Sequence, residues 1–403
     1  MMKINKYIFG VSLGAFSLMT ASCYNAEHEF PDFEDGTTAY FAYQDPVRTL
    51  VLGNDIYDNS LDNAHKCQIW ATMGGAYHGR TGTVDFVVDN SLCDNLFFTD
   101  EGGNPAGPVL PMPSEYYKLA SNQIPYNSSS RGYVEVQFTD AFFNDPKSVE
   151  NTYVIPLLMK SAKGIDHILT GKPREGMTPS RTNTFDWDVP AKDYVLYCVK
   201  YMNPWQARYI RRGVDKVTEG TDNGTVVRQD FSLVNSDPGR YKENPVNAND
   251  EVCNIYTKDM NTCVFPVSVK RITKDKDGKL NAAVVCNMIL KFDGNKCTLS
   301  TEDEDAAIEG TGEFIINGTE QNAYKNYRWG NMNQEEVTKR DILRLSYNVS
   351  FKKGKFLYTA KDAKGNDVNV YLDKDMTVAS SDTLVVQTRE SNKKVFFSPT
   401  YVK

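Results

Sequence analysis

The sequence predicts an all-β protein of two domains. An N-terminal immunoglobulin-like β-sandwich comes first, followed by a larger C-terminal antiparallel β-barrel (lipocalin-like) or second sandwich. Three observations point there. Of 403 residues, 23 are Tyr and 20 are Phe, accompanied by frequent Val, Thr and Gly, a composition that suits pleated sheets. Short alternations of apolar and polar residues recur with turn residues between them, and no sustained helical period intervenes. The length exceeds what one core usually serves, at ~150 residues per domain.

The first apolar run is not part of that fold. Lys3 and Lys6 precede 15 residues from Tyr7 to Ala21, ending in Leu18-Met19-Thr20-Ala21-Ser22-Cys23. The run falls short of the ~20 residues that span a bilayer and has the charged, apolar, small layout of a secretory signal. Ala21-Ser22-Cys23 suits lipoprotein processing, so residues 1–22 read as a signal peptide and Cys23 as the lipidated first residue of the mature chain. Thr20 stands where such signals prefer Leu, and plain secretion is the alternative. Residues 23–37, with Glu27, Glu29, Asp32, Glu34 and Asp35, form an acidic tether.

The β-sandwich spans 38–170. Ala39–Tyr43 and Thr49–Leu52 are short strands separated by Asp45-Pro46. Cys67-Gln68-Ile69-Trp70-Ala71 alternates, and Trp70 is assigned to the core. Thr83–Val88 and Tyr133–Phe138 follow, the latter alternating as a half-buried strand does. Asp140–Pro146 reads as one helical turn. In Tyr153–Met159, Pro156 demands an edge or a bulge because it has no N–H for a ladder. Residues 171–190 are heavily punctuated by Pro and Gly and read as a linker, with Trp187 packing back as structure resumes.

The C-terminal domain is set at 191–403. Tyr194–Tyr201 is the strongest strand in the chain, and Val226–Leu233, Asn254–Tyr256 and Thr262–Phe265 continue the series. Asp277-Gly278 and Asp293-Gly294 supply the positive φ of hairpin turns. Gly312–Gly318, Ile342–Phe351, Lys355–Thr359, Val368–Leu372 and Asp382–Arg389 complete a meander without crossover helices, which suggests up-and-down closure or a large sandwich.

Charge and motifs exclude several functions. A net charge of -7 and a pI ≈ 5.3 leave no basic stripe for nucleic acid. No nucleophile elbow, zinc-protease helix or dinucleotide loop occurs, so no enzyme and no cofactor are expected. Acidic pairs such as Asp186 and Asp188 could serve a glycosidase only at a carboxylate separation that sequence does not reveal. Asp275-Lys276-Asp277-Gly278 lacks the glutamate that completes a calcium loop, and no Cys-x-x-Cys suggests a metal. With Cys23 assigned to lipid, seven cysteines remain. Several sit in apolar runs as small buried hydrophobes, although Cys253–Cys263 and Cys286–Cys297 could close hairpins as disulfides.

Several stretches then carry a resemblance. Asp45–Thr49, Ala71–Gly75, Thr139–Phe142 and Tyr153–Leu157 resemble the N-terminal sandwich domain of surface lipoproteins from Bacteroidetes polysaccharide-utilisation loci. Tyr194–Gly213 and Asp382–Val386 resemble the start and last strand of that family's C-terminal β domain, except that Gln206-Ala207 replaces the expected His-Gly. The resemblance implies an outer-membrane, outward-facing accessory that binds a glycan, possessing a place beside an outer-membrane transporter and touching the membrane through its lipid alone. Asp382-Thr383-Leu384 also resembles the short O-glycosylation motif of exported Bacteroidetes proteins, making Thr383 a candidate for modification.

Glycan binding calls for exposed aromatic rings with nearby amides and carboxylates. Pro204 ends a strand, so Trp205 and Tyr209 are candidate contacts in a loop, and Tyr324, Tyr327 and Trp329 form a second candidate cluster among polar residues. The competing expectation is that these aromatics cover a barrel end or a seam between domains. It belongs to a second reading, a structural or assembly lipoprotein that docks on a transporter or adhesive fibre without glycan affinity.

Overall fold

The computed structural model describes residues 32–402 apart from 56, 228–250, 276–277, 319–339, 363 and 390–394. Cys23, most of the tether, and the cluster of Tyr324, Tyr327 and Trp329 lie outside the described residues. The fold is all-β.

The first domain contains β1 (Thr38–Tyr40), β2 (Pro46–Val51), β3 (Lys66–Gly74), β4 (Arg80–Val88), β5 (Tyr117–Leu119), β6 (Gln123–Ser129), β7 (Arg131–Phe138), β8 (Tyr153–Lys163), β9 (His167–Ile168) and β10 (Tyr194–Met202). One sheet runs β9-β1-β3-β7-β5 and the other β2-β10-β8-β4-β6. Strand parity builds the core between them. Cys67, Ile69, Ala71 and Met73 from β3 and Val134, Val136 and Phe138 from β7 face Leu157, Val195, Val199 and Tyr201 of the second sheet. The expected helical turn is α1 (Asp140–Asn144), which buries Phe142 and Phe143.

Pro156 lies in β8, in the middle of its sheet, yet no ladder bond is lost there. The β4 ladder begins only at Leu157 opposite Val88, and beyond the end of β4 the Pro156 carbonyl accepts from Asp89 N at 2.9 Å. The strand is locally an edge, as the proline requires.

The expected domain boundary is corrected by the pairing. Tyr194–Met202 does not open the second domain: it is β10, antiparallel to β8 and parallel to β2. Its odd positions Val195, Val199 and Tyr201 fill the first core. Tyr194, Leu196 and Cys198 enter another core on the far side, with Leu96, Phe98, Trp187 and Phe397. Burial on both faces explains why this was the strongest apolar run. Residues 171–190 are also no free linker. Trp187 is buried and its Nε1 donates to Ser180 O at 2.8 Å, as the expected packing-back requires. The end of the chain returns here, with Val395–Phe396 beside β2 and Pro399–Tyr401 beside Leu96–Thr99.

The second domain begins after Asn203. Its strands are β11 (Ala207–Glu219), β12 (Asp222–Val227), β13 (Glu251–Thr257), β14 (Thr262–Val269), β15 (Val284–Asp293), β16 (Lys296–Thr301), β17 (Ala306–Ile315), β18 (Ile342–Phe351), β19 (Phe356–Lys361), β20 (Asp367–Tyr371) and β21 (Met376–Thr388). Among the described residues, eight strands pair in the order β11-β13-β14-β15-β16-β17-β18-β21, and β21 returns to β11 to close the barrel. Closure leaves no sheet edge along the ring. Strand β12 extends the far half of β11, and β19–β20 form a separate hairpin. At the Asp293-Gly294 turn, Gly294 takes φ 57°, the conformation expected of it.

The barrel interior is packed. Phe265, Val267, Met288, Leu290, Leu343, Leu345, Val349 and Val378 face inward. Among them, Arg211 is fully buried. It donates to Asp382 Oδ2 at 2.8 Å, to Glu251 Oε1 at 2.8 Å, to Ser268 O at 2.9 Å and to the Tyr347 hydroxyl at 2.8 Å. It also lies 5.4 Å from the Phe265 ring centroid. Burial opposes its charge, but Asp382, Tyr347, Glu251 and Asp215 outweigh that and hold the guanidinium firmly protonated.

Candidate functional site

Trp205 and Tyr209, expected in an exposed loop, are buried. The Trp205 ring stacks on Phe292 at 3.9 Å between centroids with 4° between planes, and the Tyr209 hydroxyl donates to Trp205 O at 2.7 Å. The turn that puts them there is held by Asn203. Its Oδ1 accepts from Trp205 N and Gln206 N at 3.2 and 3.1 Å, while its Nδ2 donates to the carbonyls of Asp259 and Thr262. Gln206, standing in place of the expected histidine, accepts from Thr257 N at 3.0 Å. Pro204 does end the strand, but the turn folds Trp205 back over the barrel mouth. Both rings are packed at the barrel mouth and not in an exposed loop.

Trp70 shows the opposite error. Assigned to the core, it is 49% exposed. On β3 the inward parity belongs to Cys67, Ile69 and Ala71, which puts Trp70 on the outer face with Gln68 and Thr72. Directly opposite on β7 stands Tyr133, 40% exposed. The two rings lie 4.6 Å apart between centroids, tilted by 42°. They form a two-ring platform on the outside of the five-stranded sheet. The signal was present in the sequence: Trp70 shares its parity with polar residues, as Tyr133 does with Glu135 and Gln137.

Polar groups frame the platform. Gln68 pairs with Glu135, and Thr72 with Arg131, on either side of the ring pair. Lys66 Nζ bonds Glu135 Oε1 at 2.7 Å, whereas Gln137 Nε2 is spent on the carbonyls of Ala64, His65 and Phe138. Among the described residues, the Gln68 amide and the Arg131 guanidinium engage no other side chain. The backbone here is tightly set. A Cβ on the inward-facing Gly132 would stand 2.4 Å from Pro125 O, so the crossing from β6 to β7 brings Arg131 and Tyr133 out at fixed positions. Two exposed rings with the Gln68 amide beside them form an arrangement able to take a sugar's C–H face and hydroxyls.

The other candidates fall elsewhere. Thr383 is half-buried within β21, paired on both sides, and lines a groove of about 980 Å³ on the outer barrel wall with Arg344, Ser346 and Ser381. Asp186 is buried and accepts from Ser180 N and Asn183 Nδ2 at 3.0 and 2.8 Å, so it serves its own loop. Cys67, Cys93, Cys198, Cys263, Cys286 and Cys297 are buried thiols without disulfides, so neither expected hairpin disulfide is formed. Burial pushes all six up to about 12. Asp275 O accepts from Gly278 N at 3.1 Å, and its carboxylate accepts from Lys279 N at 2.8 Å, which are turn contacts. Among the described residues, no cluster suited to a metal ion occurs and no helix is long and apolar enough to cross a membrane.

Fold and platform together define a class: an all-β protein in which a sandwich with an aromatic outer face is joined to a closed, packed barrel. Residues 204–390 match the domain of unknown function DUF5627, a range that coincides with the barrel. Residues 33–166 match a second family model, described as an N-terminal domain. A Bacteroides ovatus protein of unknown function, solved by structural genomics, is 33% identical with a TM-score of 0.71, over 92% of this chain and 100% of that one. The chain belongs to the same family as that Bacteroides ovatus protein. A multidomain Bacteroides ovatus protein that includes DUF1735 matches at 12% identity and a TM-score of 0.35, over 89% and 99% of the two chains. No curated protein matches.

Proposed function

We propose that this chain is a lipid-anchored protein of the outer cell surface that holds glycan chains on the outer face of its N-terminal sandwich. The observation that carries this reading is the exposed Trp70–Tyr133 pair. Core strands of a sandwich have no packing use for two large rings on their solvent face, and a contiguous exposed aromatic patch with hydrogen-bonding neighbours is a mark of a binding surface. The lipoprotein-like leader of residues 1–22, followed by Cys23, supports a tethered surface. Calorimetry or affinity electrophoresis against a glycan panel tests it. Trp70→Ala and Tyr133→Ala should each weaken binding by roughly tenfold, equivalent to ~1.4 kcal/mol; a folded protein that binds no glycan would sink the reading. Cys23→Ala should move the protein from the membrane fraction to the soluble one, and retention on the membrane would refute the anchor.

A second reading has its own support. The burial of Trp205 and Tyr209 fits a structural or assembly lipoprotein. The β19–β20 hairpin presents Phe356, Tyr358 and Tyr371 to solvent, a surface for a transporter or an adhesive fibre. Co-purification with such a partner, without glycan affinity, would favour it.

A further inference from the structure

The platform face has a charge opposite in sign to that of the whole chain. The outward positions of its five strands carry Lys66, Lys118 and Arg131 against one carboxylate, Glu135, in a chain of net charge -7. Lys66 and Glu135 neutralise each other. That leaves Arg131 and Lys118 as the uncompensated charges on this face. Arg131 is exposed and is two residues from Tyr133, ~7 Å along the strand. Because Tyr133 stands opposite Trp70, Arg131 is also diagonal to Trp70, within reach of a long side chain. Lys118 stands beside Gln137, toward the other end of β7. A ring platform thus has a free cation toward each end.

We infer that the glycan this face takes is polyanionic, carrying carboxylate or sulfate groups on its sugars. The inference rests on the glycan-binding reading above. A sugar stacked on Trp70 and Tyr133 brings a ring substituent within range of the Arg131 guanidinium, whose planar fork matches a carboxylate or a sulfate ester in two parallel hydrogen bonds. A neutral sugar uses the rings and leaves the guanidinium to water. Lys118 takes a further anionic group along the same chain as a point charge. The 42° tilt between the rings offers no common plane, so the face suits a flexible soluble chain and not a flat crystalline array. Exposed charge pairs are screened by salt while ring stacking is not, so the preference for charge fades as ionic strength rises and the stacking remains.

The test uses the lipid-free full-length chain and paired polymers that differ only in charge. Polygalacturonate is compared with its methyl-esterified form to read the carboxylate, and dextran sulfate with dextran to read the sulfate. At low salt, at least one charged polymer should bind about fivefold more tightly than its neutral partner, roughly what one exposed charge pair supplies. Arg131→Gln should erase that difference and leave neutral binding intact, and Trp70→Ala should weaken both members of the pair. Equal affinity within both pairs, or a difference that survives Arg131→Gln, overturns the polyanion inference while the glycan reading stands. Absence of binding to all four, with an unchanged melting temperature, brings down both. Charged-polymer binding that Trp70→Ala leaves untouched marks a bare electrostatic patch and also overturns the inference. So does Arg131-dependent capture of phosphatidylglycerol vesicles without polygalacturonate or dextran sulfate binding, which would make the face a lipid-docking surface.

Discussion

Trp70 and Trp205 show how far residue type can mislead about role. Trp70, expected in the core, is exposed, and Trp205, expected in an exposed loop, is buried. Trp205→Ala removes a ring stacked at the barrel mouth and should cost about 3–5 kcal/mol in a chemical denaturation midpoint. Trp70→Ala, on a solvent face, should change stability by no more than ~0.5–1 kcal/mol while weakening the proposed glycan binding roughly tenfold. Asp45 is a second residue with a measurable signature. Burial raises its carboxyl from the usual range to about 7, and its Oδ1 has no hydrogen-bond partner among the described residues. The folded state therefore holds this proton more tightly than the unfolded chain does. Stability that is complete near pH 4 is lost as pH rises toward 7, and the loss levels off above it. The melting temperature of Asp45→Asn relative to the natural protein should accordingly climb between pH 4 and pH 7. A constant offset would show that Asp45 does not titrate there.

At the scale of elements, the barrel strands are organised by inward parity, and one inward position on β11 is an arginine. Arg211, Asp382 and Tyr347 come from three strands that adjoin only in the closed barrel, with Tyr347 donating to Asp382 Oδ2 at 2.9 Å. Asp382→Ala leaves Arg211 buried without its one fully buried carboxylate partner and should destabilise by about 3–5 kcal/mol. Arg211→Met combined with Asp382→Leu should cost clearly less than the sum of the singles, read by a double-mutant cycle; additive losses would show that the pair is not coupled. The strands themselves were largely legible. Ile342–Phe351 is β18 to the residue, and the Asp-Gly turn at 293–294 closes the β15–β16 hairpin. The Arg211 network was not legible, because its partners are 171 and 136 positions away and nothing local marks them as neighbours.

For the molecule as a whole, the seam between sandwich and barrel is knotted by one side chain. Arg389, just past β21, donates to the carbonyls of Leu52, Asn54, Asn203 and Gln206 at 2.7, 2.9, 2.6 and 3.2 Å. It thus joins the end of the barrel to the β2 exit and the interdomain turn. From there the chain passes back to the sandwich, whose second sheet it extends with Val395–Phe396. Arg389→Ala strands several buried carbonyls and should cost about 2–3 kcal/mol. The same variant should expose the 203–206 turn to limited proteolysis, and Arg389→Lys should not restore protection, because an ammonium cannot span the four acceptors. Unchanged cleavage at the turn would show that the seam is held elsewhere.

Alternation along a strand is a local property, so the sequence by itself determined that the chain is all-β, where most strands run and, in the cleanly alternating ones, which parity faces a core. Read strictly, the same parity already put Trp70 and Tyr133 outside. Partnership between distant segments is not local. Only the tertiary structure decided that Tyr194–Met202 belongs to the sandwich, that the barrel closes through β11 and β21, and that Trp205 turns inward. It alone brought Trp70 opposite Tyr133 with Arg131 alongside. Register across a sheet is chosen by the burial of whole faces, a sum over many strands that no single stretch of sequence contains.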